Sequence, residues 1–212
     1  MKLYTYFRSS AAWRVRIALA LKGIAWTPEY VHLLKDGGQQ NAPAYRAKNP
    51  TGLVPTLETD DGGLILQSLA IIEWLEETHP TPPLLPRDPV ARAHVRAIAL
   101  TIACDIHPLN NLRVLRYLKD GMGLDQPARD AWYAHWIAEG LGGVEAMLRG
   151  AGPFCHGDTP TLADACLVPQ MANARRLNCP LDAYPRLRRA EAAALALAEF
   201  RDTAPDRQPD AS

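Results

Sequence analysis

Pro80-Thr81-Pro82-Pro83-Leu84-Leu85-Pro86-Arg87-Asp88-Pro89 holds five prolines in ten positions. Proline lacks the backbone N–H that a helix interior or a central strand requires, so neither element crosses this stretch. It reads as a linker over residues 80–89 that divides the chain into halves of different pattern. Before it the elements alternate. An apolar-aromatic strand spans Lys2 to Phe7, a helical pattern runs from about Ala11 to Lys22, and an extended stretch lies near Trp26 to Leu33. A polar loop, Lys35 to Gln40, leads to a short helical piece near Ala42 to Ala47. Strands at Val54 to Glu58 and Leu64 to Leu66 flank Asp61-Gly62-Gly63, and a helix from Ser68 to about Thr78 closes the half. The order β-α-β-α-β-β-α predicts a small mixed sheet with helices packed on it, an α+β domain over residues 1–79.

After the linker, Ala/Leu-rich stretches at Val90 to Cys104, Leu109 to Leu118, Pro127 to Leu148, Leu162 to Arg176 and Pro185 to Phe200 predict an all-α bundle over residues 90–212. The last ten residues, from Thr203, show no apolar periodicity and are expected to fray. Thr161-Leu162-Ala163-Asp164 has capping-box spacing, so Thr161 and Asp164 read as fixing a buried helix start, and Pro169 should bend that helix.

Composition removes several functions. The chain has 212 residues, 48% hydrophobic and 22% charged, enough for a sizeable core. Lys+Arg 23 against Asp+Glu 23 leaves no net charge, hence no long-range basic field for nucleic acid. Arg8, Arg14 and Arg16 interrupt the opening before a secretory apolar core could form, and no apolar run reaches the ~20 residues of a membrane helix, so a cytoplasmic protein is expected. Cys104, Cys155, Cys166 and Cys179 show no C-x-x-C or zinc-type spacing and read as free thiols. No H-E-x-x-H, G-x-S-x-G, Walker or G-x-G-x-x-G motif occurs, so the chemistry should use neither metal nor nucleotide.

Two helix starts carry hydroxyls. Arg8-Ser9-Ser10-Ala11-Ala12-Trp13 is a strand-to-helix turn that puts Ser9 or Ser10 at an N-cap, and Gln67-Ser68 opens the helix before the linker. Each serine reads two ways, as an ordinary cap or as a hydroxyl that helps the positive helix end to hold an anion. The pair, at corresponding ends of one small domain, favours a ligand spanning both. A dithiol redox centre would need cysteines in the first turn, and Ser9-Ser10-Ala11-Ala12 has none. Pro55 removes a ladder donor at a strand mouth; a cis Val54–Pro55 bond would turn the Val54 backbone toward a peptide ligand.

Ser9-Ser10-x-x-Trp13-Arg14-Val15-Arg16-Ile17, Asp36-Gly37-Gly38-Gln39-Gln40, Asn49-Pro50-x-Gly52-x-Val54-Pro55, Gln67-Ser68-x-Ala70-Ile71 and Ile106-His107-Pro108-Leu109-Asn110-Asn111 resemble the zeta class of glutathione transferases, the maleylacetoacetate and maleylpyruvate isomerases in particular. The likeness runs from residue 1 to about 200. It implies a thioredoxin-like domain followed by an all-helical domain, a homodimer, and glutathione as cosubstrate. Carried over by position, it implies that Ser9, with Ser10 beside it, faces the glutathione sulfur, and that Val54 and Pro55 meet the cysteinyl backbone. Gln67 and Ser68 would hold the γ-glutamyl end, Gln40 would reach the tripeptide from its loop, and His107, Asn110 and Asn111 would approach from the helical domain. One position departs from the family's Ser-Ser-Cys: Ala11 stands where the cysteine would be, so glutathione supplies the only sulfur.

The implied reaction turns a maleyl keto acid into its fumaryl isomer. Hydrogen bonds alone do not free a conjugated double bond to rotate. A thiolate that adds and is later eliminated does, and glutathione is not consumed. A free cysteine thiol has a pKa of ~8.5, so the site must favour the thiolate; that task falls to Ser9 and the adjacent helix start. The substrate is a dianion, and 18 Arg stand against 5 Lys. Arg8, Arg113 and Arg176 are the candidates for its carboxylates, with Arg175 an alternative to Arg176; His107 reads either as polarising a carbonyl or as packing. Conjugation or dehalogenation of small α-halo acids would use the same thiolate, and a non-catalytic glutathione-binding protein would keep the same fold.

Overall fold

The computed structural model describes residues 1–211. It divides into two compact units, one made of Met1–Leu84 with the segment from Ala196 onward, the other of Leu85–Leu195.

The first unit opens with β1 (Lys2–Thr5), α1 (Ser10–Leu21), β2 (Thr27–Tyr30), α2 (Pro43–Arg46), β3 (Thr56–Glu58), β4 (Leu64–Leu66) and α3 (Ser68–Thr78). The sheet order is β2-β1-β3-β4, with β1 parallel to β2 and antiparallel to β3, and β3 antiparallel to β4. The strands are shorter than their apolar runs suggested. α1 buries Ala12, Trp13, Val15, Ile17, Ala18 and Leu19, and α3 buries Ile71, Ile72 and Leu75. α1 stops at Gly23, whose φ of +64° suits the residue after a helix end and whose N–H donates to the Ala20 carbonyl at 2.9 Å. Behind it the Lys22 ammonium, fully buried, meets Glu76 at 2.8 Å and donates to the carbonyls of His79 and Pro82, while Glu76 accepts the Leu84 N–H. The beginning of the proline-rich stretch is thereby tied to both helices.

The second unit holds α4 (Pro89–Leu100), α5 (Leu112–Arg116), α6 (Gln126–Met147), α7 (Leu162–Arg176) and α8 (Pro185–Leu195). Pro89 is the first residue of α4 rather than the last of a linker: a missing N–H is harmless in a first turn, and Asp88 caps Ala91 N–H at 2.8 Å. The helix expected over Val90 to Cys104 instead widens into a π-type turn at Thr101–Ile106 and tightens at His107–Asn110, because Pro108 has no N–H with which to continue a regular ladder. α6 passes close to this bulge at Gly140, where a Cβ would stand 2.2 Å from Ile106 Cγ1, so only glycine fits. α7 begins as its capping-box spacing predicts. The Asp164 carboxylate accepts the Thr161 N–H, the Thr161 hydroxyl and the Cys155 N–H, each at 2.8 Å. Among the described residues no helix is long and apolar enough to cross a membrane.

The C-terminal segment departs most from expectation. The helix expected over Pro185 to Phe200 breaks after Leu195, and the chain returns to the first unit through α9 (Ala198–Arg201) and two 3-10 turns at Pro205–Arg207 and Pro209–Ala211. Phe200 is fully buried there. Beyond it the segment is held rather than frayed, by polar groups: Trp13 Nε1 donates to Thr203 Oγ1 at 3.1 Å, Arg16 Nε to the Thr203 carbonyl at 3.1 Å, and Phe7 N–H to Asp210 at 2.9 Å. Hydrophobic periodicity does not register docking of this kind.

Candidate active site

Strand register gathers the proposed glutathione residues of the first unit at one end of its sheet. Thr56, the first residue of β3, pairs with Tyr4 near the end of β1 and with Leu66 at the end of β4. Val54-Pro55 therefore enters, and Gln67-Ser68 leaves, beside the Thr5–Tyr6 exit that leads to Ser9. β2 exits at the same end, since Val31 N–H donates to the Thr5 carbonyl at 2.8 Å, and its loop runs on to Gln40. Beneath them Tyr4, Tyr6, Val31, Tyr45 and Val54 form an apolar cluster.

Ser9 is the N-cap of α1: its Oγ accepts the Ala12 N–H at 3.2 Å. A hydroxyl that accepts a cap bond still has its own proton to donate, so the cap and the anion contact are compatible in one side chain. Ser10 is the first helical residue and buried; Arg8 is exposed.

The Val54–Pro55 bond is cis. The Val54 N–H and C=O have no hydrogen-bond partner among the described residues. The approach to Val54 is fixed by a buried network: Tyr45 donates to the Leu53 carbonyl at 2.6 Å, Asn49 Nδ2 donates to that carbonyl at 2.8 Å and to Thr56 Oγ1 at 3.0 Å, and Tyr45 and Thr56 hydroxyls lie 3.0 Å apart. Burial raises the Tyr45 phenol above its ordinary value, against hydrogen bonds from Thr56 and Asn49.

At the second helix start the structure shifts the cap by one residue. Gln67, not Ser68, is the N-cap of α3, and it makes no side-chain cap bond. Its φ of +71° is the left-handed region, which costs a residue with a side chain about 1 kcal/mol or more. Ser68 is buried inside the first turn and accepts from Arg14 Nη1 at 3.4 Å, a bond that joins α1 to α3. Gln40 is 92% buried; its Nε2 donates to the Leu33 carbonyl at 3.4 Å, and its Oε1 has no hydrogen-bond partner. An unpaired strand-mouth peptide, an unsatisfied buried amide oxygen and two helix starts fit a peptide with an anionic terminus.

The second unit carries the other candidates. His107 and Asn110 lie in the tight turn that precedes α5, and Asn111 caps α5 by accepting the Arg113 N–H at 3.1 Å. Arg113 is exposed on α5. Asn110 Nδ2 donates to the Tyr133 carbonyl at 3.4 Å, and its buried Oδ1 has no hydrogen-bond partner. Arg176 Nη2 donates to Asn173 Oδ1 at 3.4 Å; burial raises the pKa of the Tyr133 phenol, and the positive charge of Arg176 opposes that rise. Arg175 is engaged instead by the buried Glu191 carboxylate through both of its terminal nitrogens. Both arginines are exposed, and of the two only Arg175 is held in an ion pair among the described residues.

Residues 3–83 match the glutathione S-transferase N-terminal domain family. The chain is 49% identical over 210 residues to the maleylacetoacetate isomerase of Pseudomonas aeruginosa, covering 99% of this chain and 98% of that one. It superposes with a TM-score of 0.95, at 46% identity and 100% coverage of both chains, on a holo structure of a maleylpyruvate isomerase described as a bacterial zeta-class glutathione S-transferase. The chain belongs to the zeta class of the glutathione transferases. This zeta-class transferase superposes equally well, TM-score 0.95 at 40% identity and full coverage of both chains, on the maleylacetoacetate isomerase of Methylobacterium extorquens with bound malonate and glutathione.

Sequence reasoning missed the transferase's supporting groups. Tyr45 and Thr56, which hold Val54 in place, carry no motif, and Asn49, though it opens one, had no role assigned. Arg14 and Arg16 lie 2% and 0% exposed within α1. Their signal was present, two arginines flanking Val15 inside the apolar run from Trp13 to Leu21, where a guanidinium has to find partners.

Proposed function

We propose that this chain catalyses the glutathione-dependent cis-trans isomerisation of a maleyl keto acid, maleylpyruvate or maleylacetoacetate, to its fumaryl isomer in the catabolism of aromatic compounds. The observation that carries the reading is the meeting, at one sheet end, of the Ser9-capped helix start with the unpaired Val54 peptide. The chemistry that bound glutathione supplies is that of a nucleophilic thiolate that adds to the conjugated double bond and leaves unconsumed.

The protein's part is to bind and to stabilise charge. The Val54 N–H and C=O would pair with the cysteinyl peptide, as a strand edge pairs with an extended ligand. The Ser68 hydroxyl, the Gln67 side chain and the free N–H groups opening α3 would hold the γ-glutamyl carboxylate, and Gln40 Oε1 would accept from its ammonium. Ser9 would donate its hydroxyl proton to the sulfur while the N-terminal dipole of α1 favours negative charge, and Ser10 completes the turn. Together these lower a thiol pKa by about one to two units, roughly 1.4 to 3 kcal/mol. Arg8, Arg113 and Arg176 would take the carboxylates of the substrate, and His107, Asn110 and Asn111 are the further ligand contacts that the family likeness implies for the helical unit. A homodimer and a cytoplasmic location, where glutathione is kept reduced, complete the proposal.

The test is steady-state turnover of both keto acids by the purified chain, with and without glutathione, while glutathione itself is counted. Turnover that needs glutathione and leaves its amount unchanged is expected. Full activity without it overturns the reading, consumption points to conjugation, and binding without turnover on either acid leaves a binding protein.

A further inference from the structure

The C-terminal segment ends on the turn that carries Ser9. In that turn, Ser9 N–H donates to the Tyr6 carbonyl at 3.0 Å. The same carbonyl accepts Arg16 Nη1 at 3.3 Å, and the Phe7 carbonyl accepts Arg16 Nη2 at 3.0 Å. Arg16 also donates to Thr5 Oγ1 at 3.1 Å and, through Nε, to the Thr203 carbonyl. One planar guanidinium therefore sets the spacing of two consecutive carbonyls in the turn and joins them to the returning chain. Asp210 supplies the matching contact, accepting the Phe7 N–H at 2.9 Å. Every peptide group from the Tyr6 carbonyl to the Phe7 carbonyl thus has a fixed partner, two residues ahead of the catalytic hydroxyl.

Charge gives the pair a second link. Arg16 is fully buried, and its loss of water lowers its pKa to about 10; the Asp210 carboxylate and the Tyr30 phenol oppose that fall. The other Asp210 oxygen is buried and has no hydrogen-bond partner among the described residues. The carboxylate is thus placed by the Phe7 N–H and by attraction to Arg16.

We propose that Asp210, acting with Arg16, is a positioning residue for the Ser9 turn. It rests on the reading of Ser9 as the group that faces the glutathione sulfur. Neither residue touches substrate. Both act through the backbone of Tyr6 and Phe7 to set where the Ser9 hydroxyl stands, and a misplacement of about 1 Å at such a group costs on the order of 100-fold in rate.

The test compares Asp210→Ala with Asp210→Asn, which keeps an oxygen for the Phe7 N–H, and with a chain shortened after Ala204. Three quantities are read on each protein: amide hydrogen exchange at Phe7 to Ser9, ultraviolet absorbance of the glutathione thiolate as a function of pH without keto acid, and kcat and KM for the keto acid. In Asp210→Ala, exchange at Phe7 is expected to quicken about 10-fold, the bound thiol to ionise roughly half a pH unit higher, and kcat to fall about 10-fold with KM within twofold. Asp210→Asn is expected to restore most of each change, and the shortened chain to behave as Asp210→Ala. A wild-type exchange rate, thiol ionisation and kcat in Asp210→Ala overturn the proposal, whatever the melting temperature does. No thiolate signal in the unmodified protein overturns the assignment of Ser9 instead, and the exchange rate at Phe7 still decides whether Asp210 holds the turn.

Discussion

Lys22 Nζ and Glu76 Oε2 lie 2.8 Å apart with side chains 0% and 6% exposed, an ion pair removed from water between the end of α1 and the last turn of α3. Such a pair adds little when compared with a packed apolar one, but losing one member strands the other. Glu76→Ala should cost about 3–5 kcal/mol in urea unfolding, and replacing both members together (Lys22→Met with Glu76→Leu) should recover much of that. A single variant with unchanged stability would contradict the buried pairing.

Ser9→Ala removes a cap and a hydroxyl donor at once. Stability should fall by about 1 kcal/mol, and kcat for the keto acid by about 100-fold, with the acid limb of its pH profile moved upward because the thiolate is less favoured. Ser9→Thr keeps both the oxygen and its proton and should retain most of each. Urea titration and a pH–rate series separate the two effects.

Arg176 carries no ion pair among the described residues and its charge counters the rise that burial gives the Tyr133 pKa, whereas Arg175 is committed to Glu191. Arg176→Ala should therefore raise KM for the dicarboxylate by about 10- to 100-fold, the worth of a charged hydrogen bond, and leave glutathione affinity unchanged. Arg175→Ala should act on stability and not on KM. The same Arg176 variant should raise the Tyr133 pKa further, visible in an ultraviolet tyrosinate titration.

Of the four thiols only Cys104 is exposed. Burial, with Asp164 beside it, holds the Cys155 thiol well above the ordinary range, and burial raises Cys179 as well. One equivalent of thiol should react with a disulfide reagent at pH 8 in the folded protein, and four in denaturant. The sign for stability follows from the same cause: an unfolded Cys155 ionises near pH ~8.5 while the folded one keeps its proton. Its contribution is whole below that pH and declines above it, by up to about 1.4 kcal/mol per pH unit. Cys155→Ala should flatten the loss of stability between pH 8 and 10.

The division into an α+β part and a helical part was legible because proline cannot be hidden inside a regular element, and because the bounds of α3 and α7 coincide with serine and threonine signals at their starts. Two local features were legible where backbone chemistry and residue type agree, the Ser9 cap and the cis Val54–Pro55 bond. Shape carried the rest. Whether Gln67 or Ser68 caps α3 turns on one backbone angle, and Arg176 is told apart from Arg175 only by the ion pair that Arg175 makes with Glu191 of α8. Asp210 lay beyond any periodicity, since a single carboxylate contact more than 200 positions away from Phe7 leaves no local pattern.

The return of the chain to its first unit after Leu195 has a consequence for synthesis. The ribosome completes Met1–Leu84, then makes the whole of Leu85–Leu195, at about 5–20 residues per second, before Phe200, Thr203 and Asp210 exist. For those several seconds the nascent sheet waits without its Thr203 and Asp210 partners for Trp13, Arg16 and Phe7, so a chain interrupted after Phe200 leaves the oldest part of the protein, not the newest, unfinished.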